Sequence, residues 1–409
     1  MAKILILIGA HLSTAPRAQK EAATLAEVGH EVTVGGFWSN PMQVARDQIL
    51  LATAPYQFYP IVDFQPQHRW VNLNVRIQSR LARELFKRFG LFTPNLIGIL
   101  PEKMLKYVRQ FKADLTIVHA EAGLWVGSKL LAEGFRVGVD FEDWFAEDLL
   151  PEARRERPIS VIQSLEKELA QRCTYCLTTS ESLAAGLATA YQAPEPTVIY
   201  NVFPWAERQH LDGQIRDRHN LAMPSLHWFS QTLGQGRGLE VLFAALSEIN
   251  QPLELHLRGH YPETSRQWLE PQIPQSWRDR VFIHPTVPNH ELLSRIAEHD
   301  IGLALETPFC HSRDLTITNK LFQYLQAGLA VIATETRGQK EVLTNYPQAG
   351  ILIPSDDPSA LAAAITQLVD HPAKLAAMKQ AALMATQEKY NWESQKPLLI
   401  ELAALALQK

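Results

Sequence analysis

The chain has 409 residues and only three cysteines, Cys173, Cys176 and Cys310. Three thiols cannot form a disulfide framework, which fits a reducing compartment. Cys173 and Cys176 form a C-x-x-C pair, but the two further Cys or His ligands of a structural zinc site are not evident. The pair is read as inert, partly buried thiols. Long apolar runs are missing too, since none reaches the eighteen or so residues that span a bilayer. The opening run over 4–8 is short and gives way to a His/Ser/Thr/Pro loop, so it reads as a strand rather than a signal peptide. Charge excess is also lacking: a net −4 implies no global attraction to nucleic acid. Neither G-K-[ST] nor a complete G-x-G-x-x-G occurs in the one glycine-rich turn that precedes a helix, which excludes a Walker loop and a dinucleotide fingerprint.

What is present is an ordinary folded composition, 46% hydrophobic and 20% charged, in a chain too long for one core. Short apolar segments over 3–8, 31–35, 115–119, 136–140, 176–179 and 197–200 read as strands between helices. The second half repeats the plan, with strands over 226–231, 253–258, 281–284, 301–305, 329–333 and 351–353. Such alternation argues for an α/β protein of two facing, Rossmann-like, doubly wound domains. The expected division is 1–204 and 205–389, with the polar stretch 205–220 as linker and a C-terminal helix over about 390–409 crossing back to the first domain. Ligands of such domains bind beyond the carboxyl ends of the strands. Loops 9–15, 119–123, 231–238 and 306–318 are therefore expected to line a cleft.

Two of those loops carry phosphate chemistry. The stretch LTITNKLFQYLQAGLAVIAT (315–334) reads as a loop, a helix from Asn319 capped by Thr318, a stop at Gly328 and a buried strand. Lys320 falls in the first turn, where amides carry the positive end of the helix dipole. The sequence QTLGQGRG (231–238) precedes another helix; its glycines allow close backbone approach and Arg237 offers a cationic fork. By itself that turn is equally a flexible connection with a solvent-facing arginine.

Between 69 and 112 ten basic residues face two acidic ones, a net +8. Over 75–92, Ile77, Leu81, Leu85, Phe86, Phe89 and Leu91 alternate with arginines at near-helical spacing. Two readings stay open: an interfacial helix on an anionic membrane surface, or a core-facing helix with a solvated basic back. Nucleic acid is not expected as a partner.

The second half resembles the donor-binding domain of GT-B glycosyltransferases, most like glycosyltransferase family 4. The resemblance rests on QTLGQGRGLE (231–240), LRG (257–259), HPTVP (284–288), TITNKLFQYLQAGLAVIAT (316–334), GQKEVL (338–343) and YNWE (390–393). Weaker echoes are LAEVGHEVTV (25–34), LTIVHAEAG (115–123), LTTSESLAAGL (177–187) and VIYN (198–201). The resemblance implies a retaining transferase that moves a sugar from a nucleotide-diphosphate donor to a glycan or lipid-linked acceptor. No cofactor beyond the donor and no metal is expected, since two cations and a helix dipole can stabilise the departing diphosphate.

By position, the family's diphosphate-binding lysine falls on Arg237, and its arginine on Gln231. The donor diphosphate is expected at Gly236, Arg237, Gly238, Thr318, Asn319 and Lys320. The glutamate pair of the family falls on Leu315 and Gln323, so Gln323 is expected at the ribose, with Glu306 and Asp314 near the donor sugar. His119 is expected either beside that sugar, as a third catalytic group with Arg237 and Lys320, or satisfied by backbone groups. His11, Arg17 and Asp140 are placed on the acceptor side, with Ser13 beside them, although a helix-capping role stays open for His11, Ser13 and Arg17. Glu142 and Asp143 are read as solvated surface acids. A nucleotide-sugar epimerase on the same scaffold, and a non-catalytic sugar-nucleotide-binding relative, are the alternatives. The expected location is the cytoplasm, with the inner face of a membrane added only if the interfacial reading of 69–112 holds.

Overall fold

The computed structural model describes residues 1–408 and divides the chain into two compact units. The first comprises Met1–Ile199 together with the chain from Gln395 onward; the second is Tyr200–Ser394. The boundary thus falls five residues before the expected one, because Tyr200 stacks edge-on against Phe322 and Tyr390 of the second unit. The last helix, Trp392–Gln408, enters the first unit at Gln395, where Lys396 pairs with Glu27 at 2.6 Å. The final residue of the expected 390–409 segment lies outside the described residues.

The first unit holds seven strands: β1 Lys3–Leu7, β2 Glu31–Trp38, β3 Gln57–Asp63, β4 Leu115–Val118, β5 Val137–Phe141, β6 Tyr175–Thr178 and β7 Thr197–Val198. They lie in the order β3-β2-β1-β4-β5-β6-β7, and every pairing is parallel. Strands β4 and β5 are buried along their whole length. Helices cover both faces of such a sheet, which explains why its central strands read as unbroken apolar runs rather than alternating ones. Strand β3 was not foreseen. Pro60 lies within it, and proline is tolerated there because β3 sits at the sheet edge.

The second unit repeats the topology with six strands: β8 Ser225–Thr232, β9 Glu254–His260, β10 Val281–His284, β11 Ile301–Ala304, β12 Ala330–Thr334 and β13 Gly350–Ile353. Their order is β10-β9-β8-β11-β12-β13, again all parallel. In each unit the strand order reverses beside the first strand, at β1/β4 and at β8/β11. That switch point opens a crevice beyond the carboxyl ends of the strands.

One face of β8 and β9 is apolar, with Leu226 and Trp228 paired to Leu255 and Leu257 in the core that includes Leu242 and Ile365. The other face carries His227, Glu254, His256 and Arg258, with His284 beside Arg258 on β10. This polar layer is what corrects the expected linker. Residues 205–220 are part of the second unit: buried Arg218 binds Glu254 at 3.2 Å and Asp300 at 3.1 Å, and Asp217 pairs with Arg258. A buried ion needs a partner, so a charged sheet face requires a charged cover. The polarity of 205–220 reflects that face rather than solvent.

Candidate functional site

At the carboxyl end of β8 the chain makes the glycine turn. Gly236 and Gly238 have φ of +73° and +81°, in the left-handed region that glycine occupies without strain. A Cβ on Gly238 would lie 2.4 Å from Leu305 Cβ and 2.5 Å from its carbonyl oxygen, so only glycine fits there. Gly238 is the N-cap of the helix Leu239–Leu246. Its close approach seats the turn against the end of β11, next to Glu306. Arg237 is exposed and has no hydrogen bond or ion pair among the described residues, whereas the Gly236 amide donates to Glu240 Oε1 at 2.7 Å.

The helix Asn319–Ala327 begins and ends where its sequence indicates, with Gly328 at φ +81° closing it. Thr318 is the N-cap residue, but its side chain caps no amide. It bonds Glu306 instead. Asn319 Oδ1 accepts from Asn201 Nδ2 at 3.0 Å. Lys320 is buried, with Nζ 2.5 Å from Glu306 Oε1 and 5.6 Å from the Trp228 ring centroid. Burial works against the Glu306 charge, but Lys320 and the Thr318 hydroxyl outweigh it and hold the carboxyl below its ordinary range. The Glu306 backbone is fixed in turn by Thr334, whose hydroxyl accepts from the Glu306 amide at 2.9 Å and donates to its carbonyl at 2.7 Å. Gln339 holds Thr334 and the Ala304 carbonyl from the far side.

Gln323 lies partly exposed one turn further along the helix. Leu315 is buried, and Gly338 lets the next helix rest on the Leu315 and Thr316 carbonyls. Asp314 is drawn to that helix as well: it accepts from Arg337 Nε at 2.6 Å and from the Arg337 amide at 3.1 Å. The structure thus gathers Gly238, Thr318, Lys320 and Glu306 at one switch point and engages Asp314 with Arg337.

The first unit has its own polar centre at the end of β4. His119 is 2% exposed and lies between two carboxylates, Nδ1 at 2.6 Å from Glu142 and Nε2 at 2.8 Å from Glu21. Burial opposes its charge, but bonds to Glu142 and Glu21 raise its pKa well above the ordinary imidazole value. Both ring nitrogens therefore donate, and His119 stands as an imidazolium satisfied by side chains rather than by backbone. Glu142 is correspondingly not a free surface acid. His119 is followed by Ala120 at φ +60°, a left-handed residue at the strand-to-helix turn. Such a conformation in a residue other than glycine costs about 1 kcal/mol or more and is held only by its surroundings.

Arg17 and Asp140 complete the centre. Arg17 is fully enclosed and donates to Asp140 at 2.6 Å, to the Ile199 carbonyl at 2.6 Å and to the Thr178 carbonyl at 3.3 Å. It clamps the ends of β5, β6 and β7, so it positions the site rather than reaching out of it. Burial pushes the Asp140 carboxyl up, with Glu21 and Glu142 adding to the push against Arg17 and His119. Glu21, His119 and Asp140 offer ligand atoms within 4.8 Å of one another. Both His119 nitrogens and both Glu21 oxygens are already engaged, Glu21 also accepting from Tyr175, whereas Asp140 Oδ1 is buried without a hydrogen bond. His11 is likewise internal: its Nε2 accepts from the Ser39 and Asn40 amides, and its Nδ1 donates to Asp47 at 3.0 Å. Asp47 also accepts from the Ser13 amide at 2.7 Å, which fixes the 9–15 loop.

Several of these residues were not singled out from sequence. Glu21 had a usable signal, because Arg17 and Glu21 stand four apart on the helix Pro16–Glu27, beside buried Ala18, Ala22 and Leu25. Opposite charges one turn apart on a core-facing stripe imply a buried network. Glu166 had none; it anchors the loop after β5 by accepting from the Ala146 amide at 3.3 Å, also accepts from Tyr191 at 2.6 Å, and burial pushes its carboxyl up to about 8. The C-x-x-C thiols are free, and burial pushes Cys173 up to about 12.

Comparison with known proteins bears on these geometries. Residues 226–371 match the family model described as glycosyl transferases group 1. No curated protein sequence matches the chain. Sucrose-phosphate synthase from Thermosynechococcus elongatus has a similar structure, with TM-score 0.70 and 16% identity over all of both chains. HepE of Anabaena, solved in complex with UDP, gives TM-score 0.69 and 16% identity over 99% of this chain and 100% of that one. UDP-GlcNAc 2-epimerase from Neisseria meningitidis, bound to UDP-GlcNAc, gives TM-score 0.60 and 12% identity over 98% and 100%.

Proposed function

We propose, from the premise that residues 226–371 form a group 1 glycosyl transferase domain in a chain of GT-B fold, that this protein is a retaining glycosyltransferase. Its donor is a nucleotide-diphosphate sugar and its acceptor a glycan or glycolipid hydroxyl. The observation that carries this reading is the placement of Lys320 on Glu306 at a helix start, beside the glycine turn seated on Leu305.

An anion at that position meets the first-turn amides at Thr318–Lys320, the positive end of the helix dipole and the Lys320 ammonium. Arg237, with no partner of its own among the described residues, adds a second cation from the glycine turn. As the bond from the sugar C1 to the diphosphate oxygen breaks, the electron pair moves to that oxygen, and these groups stabilise the charge it gains. Glu306, held by Lys320 and the Thr318 hydroxyl, keeps Lys320 in place. Gln323 lies on the same helix for the ribose. In the first unit His119 is a paired group between Glu21 and Glu142, which suits it to an electrostatic role rather than that of a base.

UDP and UDP-GlcNAc in the structures of similar proteins support a uridine nucleotide as the first donor to try. Incubation with a panel of labelled nucleotide sugars, with product analysis, tests the reading. Transfer, or slow hydrolysis without acceptor, is the expected result, and Lys320→Ala should lower turnover about a hundredfold, the effect of one lost charge-stabilising donor. Isomerisation of the donor would favour an epimerase, and binding without turnover a non-catalytic relative; either outcome sinks the proposal.

A further inference from the structure

We infer that the helix Arg69–Phe89 is a docking element whose outer face lies on an anionic lipid surface. The inference does not depend on the sugar-transfer reading, since it uses none of the residues invoked there. The helix connects β3 towards β4 and buries only Val75 and Ala82 completely. A second apolar stripe points to water: Trp70 is 85% exposed, and Leu73, Ile77 and Leu81 are about half exposed. Spacings of three, four and four residues put these side chains on one line along the helix. A soluble helix ordinarily turns one apolar stripe inward; a second, outward one marks an interaction surface.

Charge identifies the partner. Arg69, Arg76, Arg80, Arg83 and Lys87 are exposed and, among the described residues, none has a carboxylate partner. The helix has one acid, Glu84, and it is paired with Arg88 at 3.1 Å. A two-fold contact with a second copy would set this cationic row against its own image, which is repulsive. An anionic bilayer instead offers hydrocarbon for the stripe and negative charge for its flank. Trp70, at one end, suits the headgroup boundary, where an amphipathic ring keeps its N–H wet. Among the described residues no helix is long and apolar enough to cross a membrane; a basic helix with an outward apolar stripe suits the interfacial plane.

Flotation of the full-length protein with vesicles tests this. The protein should float with phosphatidylcholine vesicles containing about a third phosphatidylglycerol, a charge density that recruits basic helices, and stay behind with phosphatidylcholine alone. Replacing Arg76, Arg80 and Arg83 together by Gln should weaken partitioning roughly a hundredfold. The triple change Leu73→Gln, Ile77→Gln and Leu81→Gln keeps every charge and should also abolish flotation. Because all six side chains are exposed, thermal midpoints should stay unchanged, which separates lost docking from lost folding. Absence of wild-type flotation, or flotation unaffected by both variants, overturns the inference. So does a dimer, seen by light scattering, that the apolar variant dissociates without any effect on vesicle binding.

Discussion

Lys320 and Glu306, fourteen residues apart, meet at 2.5 Å at the start of one helix and the end of one strand, both with little solvent exposure. A buried ammonium without a counter-ion is costly, so each residue is the condition for the other. Replacement of Glu306 by Ala should destabilise the fold by about 3 kcal/mol. Adding Lys320→Met should restore most of that loss, because the uncompensated charge is gone. Urea unfolding of both variants checks the pair; equal destabilisation in the double variant would show that the contact contributes nothing specific.

The glycine turn gives a sharper contrast between two positions in one loop. Gly238→Ala must place a methyl into Leu305 and hold a φ of +81°, so it should cost about 2 kcal/mol or more and abolish binding of a nucleoside diphosphate. Gly234→Ala meets no atom within 4 Å and carries no positive φ, so it should leave both properties nearly unchanged. Calorimetric titration of UDP into the two variants distinguishes them.

His119 predicts a specific alkaline behaviour. Its folded pKa is raised by Glu142 and Glu21, so its contribution to stability is complete below the unfolded value of about 6.5 and is lost as pH climbs through the folded one. His119→Gln should therefore flatten the fall in stability above neutral pH. Nitrogen NMR shifts of the wild-type ring should show both sites protonated at pH 7.5. A neutral ring at that pH would remove His119 from the proposed electrostatics.

The histidine layer of the second unit behaves oppositely. Burial lowers His284 to about 4 and His256 to about 2, with Arg258, Arg218, His299 and His227 crowding the same face against Asp217 and Glu254. The unfolded chain then binds more protons below about pH 6.5, so stability is full above that value and falls as pH drops towards 4. Substituting His284 by Asn should reduce this acid slope by about 1 kcal/mol per pH unit. Unfolding midpoints at pH 6.5, 5.5 and 4.5 measure it.

Much of this was legible in the chain itself, for local reasons. The helix Asn319–Ala327 was readable from its apolar spacing and the closing glycine, and the alternation of strands with helices indicated two parallel sheets. The edge strand Gln57–Asp63 was hidden by Pro60. Thr318 looked like a capping hydroxyl, but Glu306 competes for it.

Periodicity, glycines and positions beside helix starts thus determined the architecture, the glycine turn and the placement of Lys320, because each acts over one or two turns of chain. Tertiary structure alone decided the partners. Arg17 finds Asp140 across 123 positions, and His119 finds Glu21 across 98. Residues 217 and 218 turn out to cover a charged sheet face rather than span two domains. Which buried charge neutralises which depends on the strand ends that a parallel sheet brings side by side, and neighbouring residues do not encode that directly.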